Sequence, residues 1–135
     1  EPRRRATSPP PFPLGDVTSL PRVDIVYAHA GMDGALIDAA VAAGARGLVV
    51  AGVGNGNMSA AALEALARAA RRGVLCVRAS RVQHGAVARN VEVDDDGLGL
   101  VASDELNPQK ARVLLKLALL ARLPVADVQR LFATY

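Results

Sequence analysis

Two stretches of the chain carry residue types that can do chemistry. One is the glycine-rich run Ala51-Gly52-Val53-Gly54-Asn55-Gly56-Asn57. The other is the acidic run Val91-Glu92-Val93-Asp94-Asp95-Asp96. The spacing Gly52-x-Gly54-x-Gly56 invites a nucleotide reading, but a dinucleotide fingerprint needs its third glycine one position later, where Asn57 stands. A phosphate loop needs Gly-Lys-Ser/Thr, which the run lacks. What remains is a tight turn in which Gly54, Gly56 and the asparagines take left-handed conformations and Asn55 or Asn57 points outward. Such an amide both donates and accepts.

In the acidic run the carboxylates are adjacent. They miss the every-second-residue spacing of a calcium loop, and Asp94, Asp95 and Asp96 read as a solvated surface. Glu92 differs because valines flank it on both sides and can anchor it. An anchored, partly desolvated carboxylate suits a ligand ammonium. A Ser80, His84 and Asp94 triad can be written on paper, but the Gly-x-Ser-x-Gly elbow is missing. His29 and His84 read as hydrogen-bonding residues at loop edges. Cys76 reads as a small core residue. One cysteine and two histidines give no metal site, and no cofactor is expected.

Threonine is informative by its scarcity. The three are Thr7, Thr18 and Thr134, near the two ends of the chain. Chemistry that needs a threonine nucleophile beside either run has to draw it from another chain or domain.

These runs must be positioned by secondary structure. Val23–Tyr27, Gly47–Ala51 and Val74–Val77 are short apolar segments rich in β-branched residues, as buried strands are. Leu98–Ala102 is a fourth, shorter one. Between them lie helical patterns. Asp33 caps the first, whose apolar face is Leu36, Ile37, Ala40 and Val41, with Gly44 at its end. Ser59 caps the second, which closes on Arg71-Arg72-Gly73. Asn107-Pro108 starts a third, and a fourth follows Pro124 with Val125, Val128, Leu131, Phe132 and Tyr135 on one face. Strands alternating with helices make βαβ units. The expected fold is a small flavodoxin-like, three-layer α/β domain of about four parallel strands with helices on both faces. Both chemistry-bearing runs then leave carboxyl ends of strands, where such sheets bind ligands at a topological switch point.

Composition agrees. Of 135 residues 51% are apolar, yet only four are aromatic, so the core is Ala, Val and Leu in close contact. No apolar run approaches the ~18 residues of a membrane span, so no membrane partner is expected. The net charge of +3 is split, with eleven arginines against six carboxylates in 1–89 and five cations against seven carboxylates in 90–135. The arginines form no stripe and have no interleaved aromatics, so nucleic acid is not an expected partner either. Residues 1–20 hold five of the eight prolines and Arg3-Arg4-Arg5. They read as a proline- and arginine-rich interdomain linker, and 21–135 as the domain.

Four stretches together carry a resemblance: Ala51–Asn57, Arg78-Ala79-Ser80-Arg81-Val82, Glu92-Val93-Asp94-Asp95, and Leu106-Asn107-Pro108-Gln109-Lys110-Ala111-Arg112-Val113-Leu114-Leu115. From about Leu20 to Tyr135 the chain resembles the C-terminal domain of bacterial type II L-asparaginases. His29-Ala30-Gly31-Met32 is shorter than that family's usual segment. The resemblance implies a two-domain amidohydrolase, usually a homotetramer, that converts L-asparagine, and often L-glutamine more slowly, to the acid and ammonia. It implies that the threonine nucleophile and its activating residues belong to an N-terminal domain outside this chain, so these 135 residues alone are expected to be inactive. It implies that Glu92 meets the substrate's α-ammonium group in a neighbouring subunit's site, that Asn57 completes that pocket, and that Asn55, with Gly54 and Gly56, shapes the supporting turn. It implies a periplasmic location, with a cytoplasmic one as the variant. The alternative reading is a stand-alone flavodoxin-like module that uses the same turn to hold a small ligand or a partner.

Overall fold

The computed structural model describes Gly15 and residues 17–135. The linker expected over 1–20 therefore lies largely outside the described residues; residues 17–20 are exposed and in neither helix nor strand. The rest is β1 (Val23–Tyr27), α1 (Ala35–Ala42), β2 (Gly47–Gly52), α2 (Ala60–Arg71), β3 (Leu75–Ser80), α3 (Asp95–Leu98), β4 (Leu100–Ala102), α4 (Pro108–Leu120) and α5 (Val125–Thr134). Four parallel strands form one sheet in the order β1-β2-β3-β4. The order never reverses within these strands, so the carboxyl edge offers no switch-point crevice; loops alone shape it.

Strand periodicity divides the core in two. Leu48, Val50 and Cys76 pack with Ile37 of α1 and with Ala62, Ala65, Leu66 and Ala69 of α2. Val49, Val77 and Val101 pack with Ala111, Leu115 and Ala118 of α4 and with Val128, Leu131 and Phe132 of α5. Every β2 residue is buried, as a strand covered on both faces must be. Leu36, expected on the packed face of α1, is instead 56% exposed. Ser59 caps α2 by accepting from Ala62 N at 3.1 Å, and Asn107 caps α4 by accepting from Lys110 N at 2.9 Å. Asp33 lies one residue before the α1 cap position but still accepts from Ala35 N at 2.9 Å.

One polar residue holds the far edge of the sheet. The side-chain amide of Gln129 in α5 is buried and pairs with both backbone groups of Ala102 in β4, accepting at 2.8 Å and donating at 3.2 Å. It acts as a one-residue strand and closes an edge that would otherwise be open to pairing. Gln129→Ala orphans two buried backbone groups. The expected cost is about 1–3 kcal/mol in urea denaturation; a loss below ~0.5 kcal/mol would mean that water replaces the amide at no cost.

Candidate functional site

β2 and β3 deliver the two runs to one edge. After β2 the chain folds back at once: Val53 N donates to Asn57 O at 2.9 Å and Asn57 N to Val53 O at 2.8 Å. This closure demands glycine. A Cβ on Gly52 would stand 2.4 Å from the carbonyl carbon of Gly56, and Gly54 and Gly56 have φ of +54° and +74°. The tight turn expected from the sequence forms, but only its glycines are left-handed; Asn55 and Asn57 keep negative φ, because Gly54 and Gly56 absorb the reversal.

After β3 the chain runs out through 81–94, returns in α3, and lies against the turn. Asn55 Oδ1 accepts from Ala88 N at 2.6 Å. Asn57 Nδ2 donates to Glu92 Oε2. The two residues singled out from the sequence, 35 positions apart, are thus direct partners, and Asn55 braces the turn beside them. Asn57 and Glu92 are both exposed. Anchoring is one-sided: Val93 packs on the α1/α2 core, but Val91 is 67% exposed.

The acidic run is not uniformly solvated, and this corrects the sequence reading. Asp95 is fully buried. Its carboxylate takes Arg78 Nε at 2.6 Å, Arg78 Nη2 at 2.8 Å and Asn90 N at 3.0 Å. Asp94 caps α3 through Gly97 N at 3.0 Å. Asp96 is exposed, and the side-chain amide of Asn90 (2.8 Å), then Arg89 (2.7 Å), hold its carboxyl below the usual carboxylate range. Glu92 is the carboxylate of the run turned toward the turn.

The paper triad does not assemble. Asp94 is committed to its cap, Ser80 is buried with its hydroxyl accepting from Val82 N at 3.3 Å, and His84 is exposed on the loop. His29 Nδ1 meets Ala30 O at 3.0 Å, a local loop contact as expected. Cys76 is buried in mid-strand, and burial pushes its thiol up to about 12. Among the described residues no cluster of three or more His, Cys, Asp or Glu could hold a metal ion, and no helix is long and apolar enough to cross a membrane. Thr134 donates to Arg130 O at the end of α5, and Thr18 precedes the domain; neither accompanies the Asn57–Glu92 pair.

The profile of the glutaminase/asparaginase C-terminal domain matches residues 22–132. The chain is 46% identical over 134 residues to L-asparaginase 2 of Escherichia coli (strain K12), and 45% identical over 134 residues to a probable periplasmic L-asparaginase of Haemophilus influenzae. Each alignment takes in 99% of this chain and 38% of the relative. A glutaminase-asparaginase of Pseudomonas fluorescens biotype A is 36% identical over 135 residues, which are 37% of its length. The chain thus spans less than half the length of the relatives it matches. The strand order, the Gly-Asn turn beside an acidic loop and these alignments agree: the chain belongs to the glutaminase/asparaginase C-terminal domain family.

Proposed function

We propose that the chain serves as the C-terminal part of a type II L-asparaginase, an amidohydrolase that releases ammonia from L-asparagine and, more slowly, from L-glutamine. Its role there is recognition. Glu92 takes the substrate's α-ammonium group, and Asn57 orients Glu92 and lines the same pocket. The observation that carries this is the direct Asn57–Glu92 hydrogen bond at the sheet's carboxyl edge. A carboxylate accepts several N–H bonds at once, so Glu92 can keep Asn57 while receiving an ammonium.

The attacking hydroxyl comes from a partner domain. Of the serines near this edge, Ser59 donates to Met32 O, Ser80 accepts from the backbone, and Ser103, just past β4, is fully buried, where no substrate reaches it. Both site residues are exposed, so the wall that excludes water from an acyl transfer is supplied by the same partner domain or by a neighbouring subunit. Assembly is as a homotetramer, and location is periplasmic, like that of the probable periplasmic L-asparaginase of Haemophilus influenzae.

The test uses a fusion in which this chain replaces the matched C-terminal part of Escherichia coli L-asparaginase 2. Glu92→Gln keeps the shape and removes the charge. Charge-assisted hydrogen bonds are worth about 1.5–3 kcal/mol, so kcat/KM for L-asparagine should fall roughly 10- to 150-fold with thermal stability unchanged. Glu64→Gln removes the same charge from a side chain that is 73% exposed on α2, and should leave kcat/KM within about twofold. Equal behaviour of the two variants would make Glu92 an ordinary surface acid and leave the domain as a binding or interaction module.

A further inference from the structure

Arg78 is an unusual residue for its place. It sits between Val77 and Ala79 in a central strand and is fully buried. It shares the face of Cys76, but its side chain leaves the apolar layer and ends beneath the two site loops. A guanidinium has five N–H donors, and here each finds an acceptor. Nε and Nη2 hold the two oxygens of Asp95 at 2.6 and 2.8 Å. Nη1 reaches Asn55 O at 2.8 Å and Gly56 O at 3.5 Å, and Nη2 reaches Ala88 O at 3.4 Å.

The acceptors fall into two groups. Asn55 and Gly56 belong to the turn and immediately precede Asn57. Ala88 and Asp95 bracket the loop that carries Glu92, and Asp95 also fixes Asn90 N at 3.0 Å. Among the described residues the other hydrogen bonds between turn and loop are the exposed Asn55–Ala88 and Asn57–Glu92 bonds and, at the base of the loop, Arg81 N to Gly52 O at 2.8 Å; the buried Val87 side chain also lies against Gly56, but of the buried side chains only Arg78 offers both groups hydrogen bonds.

We propose that Arg78 is the positioning residue of the site: its guanidinium, locked by Asp95, sets the gap between the Gly-Asn turn and the acidic loop and so makes Asn57 meet Glu92. Its bearing on catalysis rests on the reading of Glu92 and Asn57 as the ammonium-recognising pair. Lysine cannot do this work, since a point ammonium with three donors cannot span two carboxylate oxygens and three carbonyls. Nor is the pair explained by stability, because a buried ion pair is commonly replaceable by apolar residues of like volume at little cost.

The proposal is tested by NMR of the ¹⁵N-labelled 135-residue chain, without substrate. The probe is the side-chain amide signal of Asn57, assigned by its loss in Asn57→Ala. In the parent chain Glu92→Gln should displace this signal, since it changes the hydrogen-bond partner. In an Arg78→Met/Asp95→Leu background, which keeps the fold's volume without the clamp, the displacement should be lost. Arg78→Lys, which keeps the charge, should lose it too. The same displacement in either folded background would overturn the proposal. So would failure of both backgrounds to fold, which would make Arg78 a residue of the core rather than of the site. Should Glu92→Gln leave kcat/KM of the fusion unchanged while the signal's displacement still depends on Arg78, the substrate reading fails and the clamp stands; the converse result removes the clamp alone.

Discussion

Asp95→Ala lowers the unfolding free energy by about 3–5 kcal/mol, a large part of the ~5–15 kcal/mol that holds an ordinary domain together. Arg78 is fully buried, and its guanidinium cannot shed its charge. Without Asp95 the cation keeps the three backbone carbonyls of Asn55, Gly56 and Ala88 but has no counter-charge. The neighbouring pair is the control. Arg89 and Asp96 are 48% and 47% exposed, where water screens the pair, so Asp96→Ala should destabilise the chain far less than Asp95→Ala. Urea denaturation of the two variants measures the difference. Equal midpoints would show that water reaches Arg78 when Asp95 is gone, and that the ion pair is less enclosed than its burial indicates.

That contrast marks where the sequence was legible and where it was not. Local signals sufficed for most elements. Ser59 and Asn107-Pro108 start α2 and α4, and the left-handed Gly44 and Gly73 follow the ends of α1 and α2. The β-branched runs became strands because each is flanked by caps and turns that stop it. The four strands, the two helical layers and the placement of the glycine-rich turn and the acidic loop at one edge follow from alternation alone.

What local signals miss is partnership at long range. Asp94, Asp95 and Asp96 look alike in a row, yet one caps a helix, one is buried and one is exposed. Only the strand residue Arg78, 17 positions earlier, distinguishes Asp95. The usable clue was an arginine flanked by Val77 and Ala79, since a charge inside a central strand must find an opposite charge. Gln129 was hidden for the same reason. On a helix with one apolar face it passes for a solvent-facing polar residue, and only its place beside β4 makes it the edge cap. The role of Leu36 failed in the other direction, because α1 has eight residues and packs chiefly through Ile37.

Cys76 supplies the second large effect, and its sign follows from linkage. Burial pushes the thiol from 9.0 up to about 12 in the folded chain, because a thiolate there would lose its hydration among Leu48, Leu66 and Ala69. The unfolded chain gives up the same proton near 9. Between those values the folded state binds more protons than the unfolded one, so its stability falls as pH rises. The contribution is complete below pH 9, is about 1 kcal/mol smaller at pH 10, and is roughly 4 kcal/mol smaller by pH 12. Cys76→Ala isolates it from every other alkaline titration. At pH 7 the variant is the less stable protein, because it leaves a void where the sulfur packs. Above pH 9 the wild type loses stability faster, so the two curves converge. Denaturation midpoints measured from pH 7 to 10 read this directly. Parallel curves would mean that the thiol ionises equally easily folded and unfolded, and that β3 opens readily enough to hydrate it. The same burial makes Cys76 inert to thiol reagents at pH 8 until the chain unfolds, since the thiolate is the reacting form.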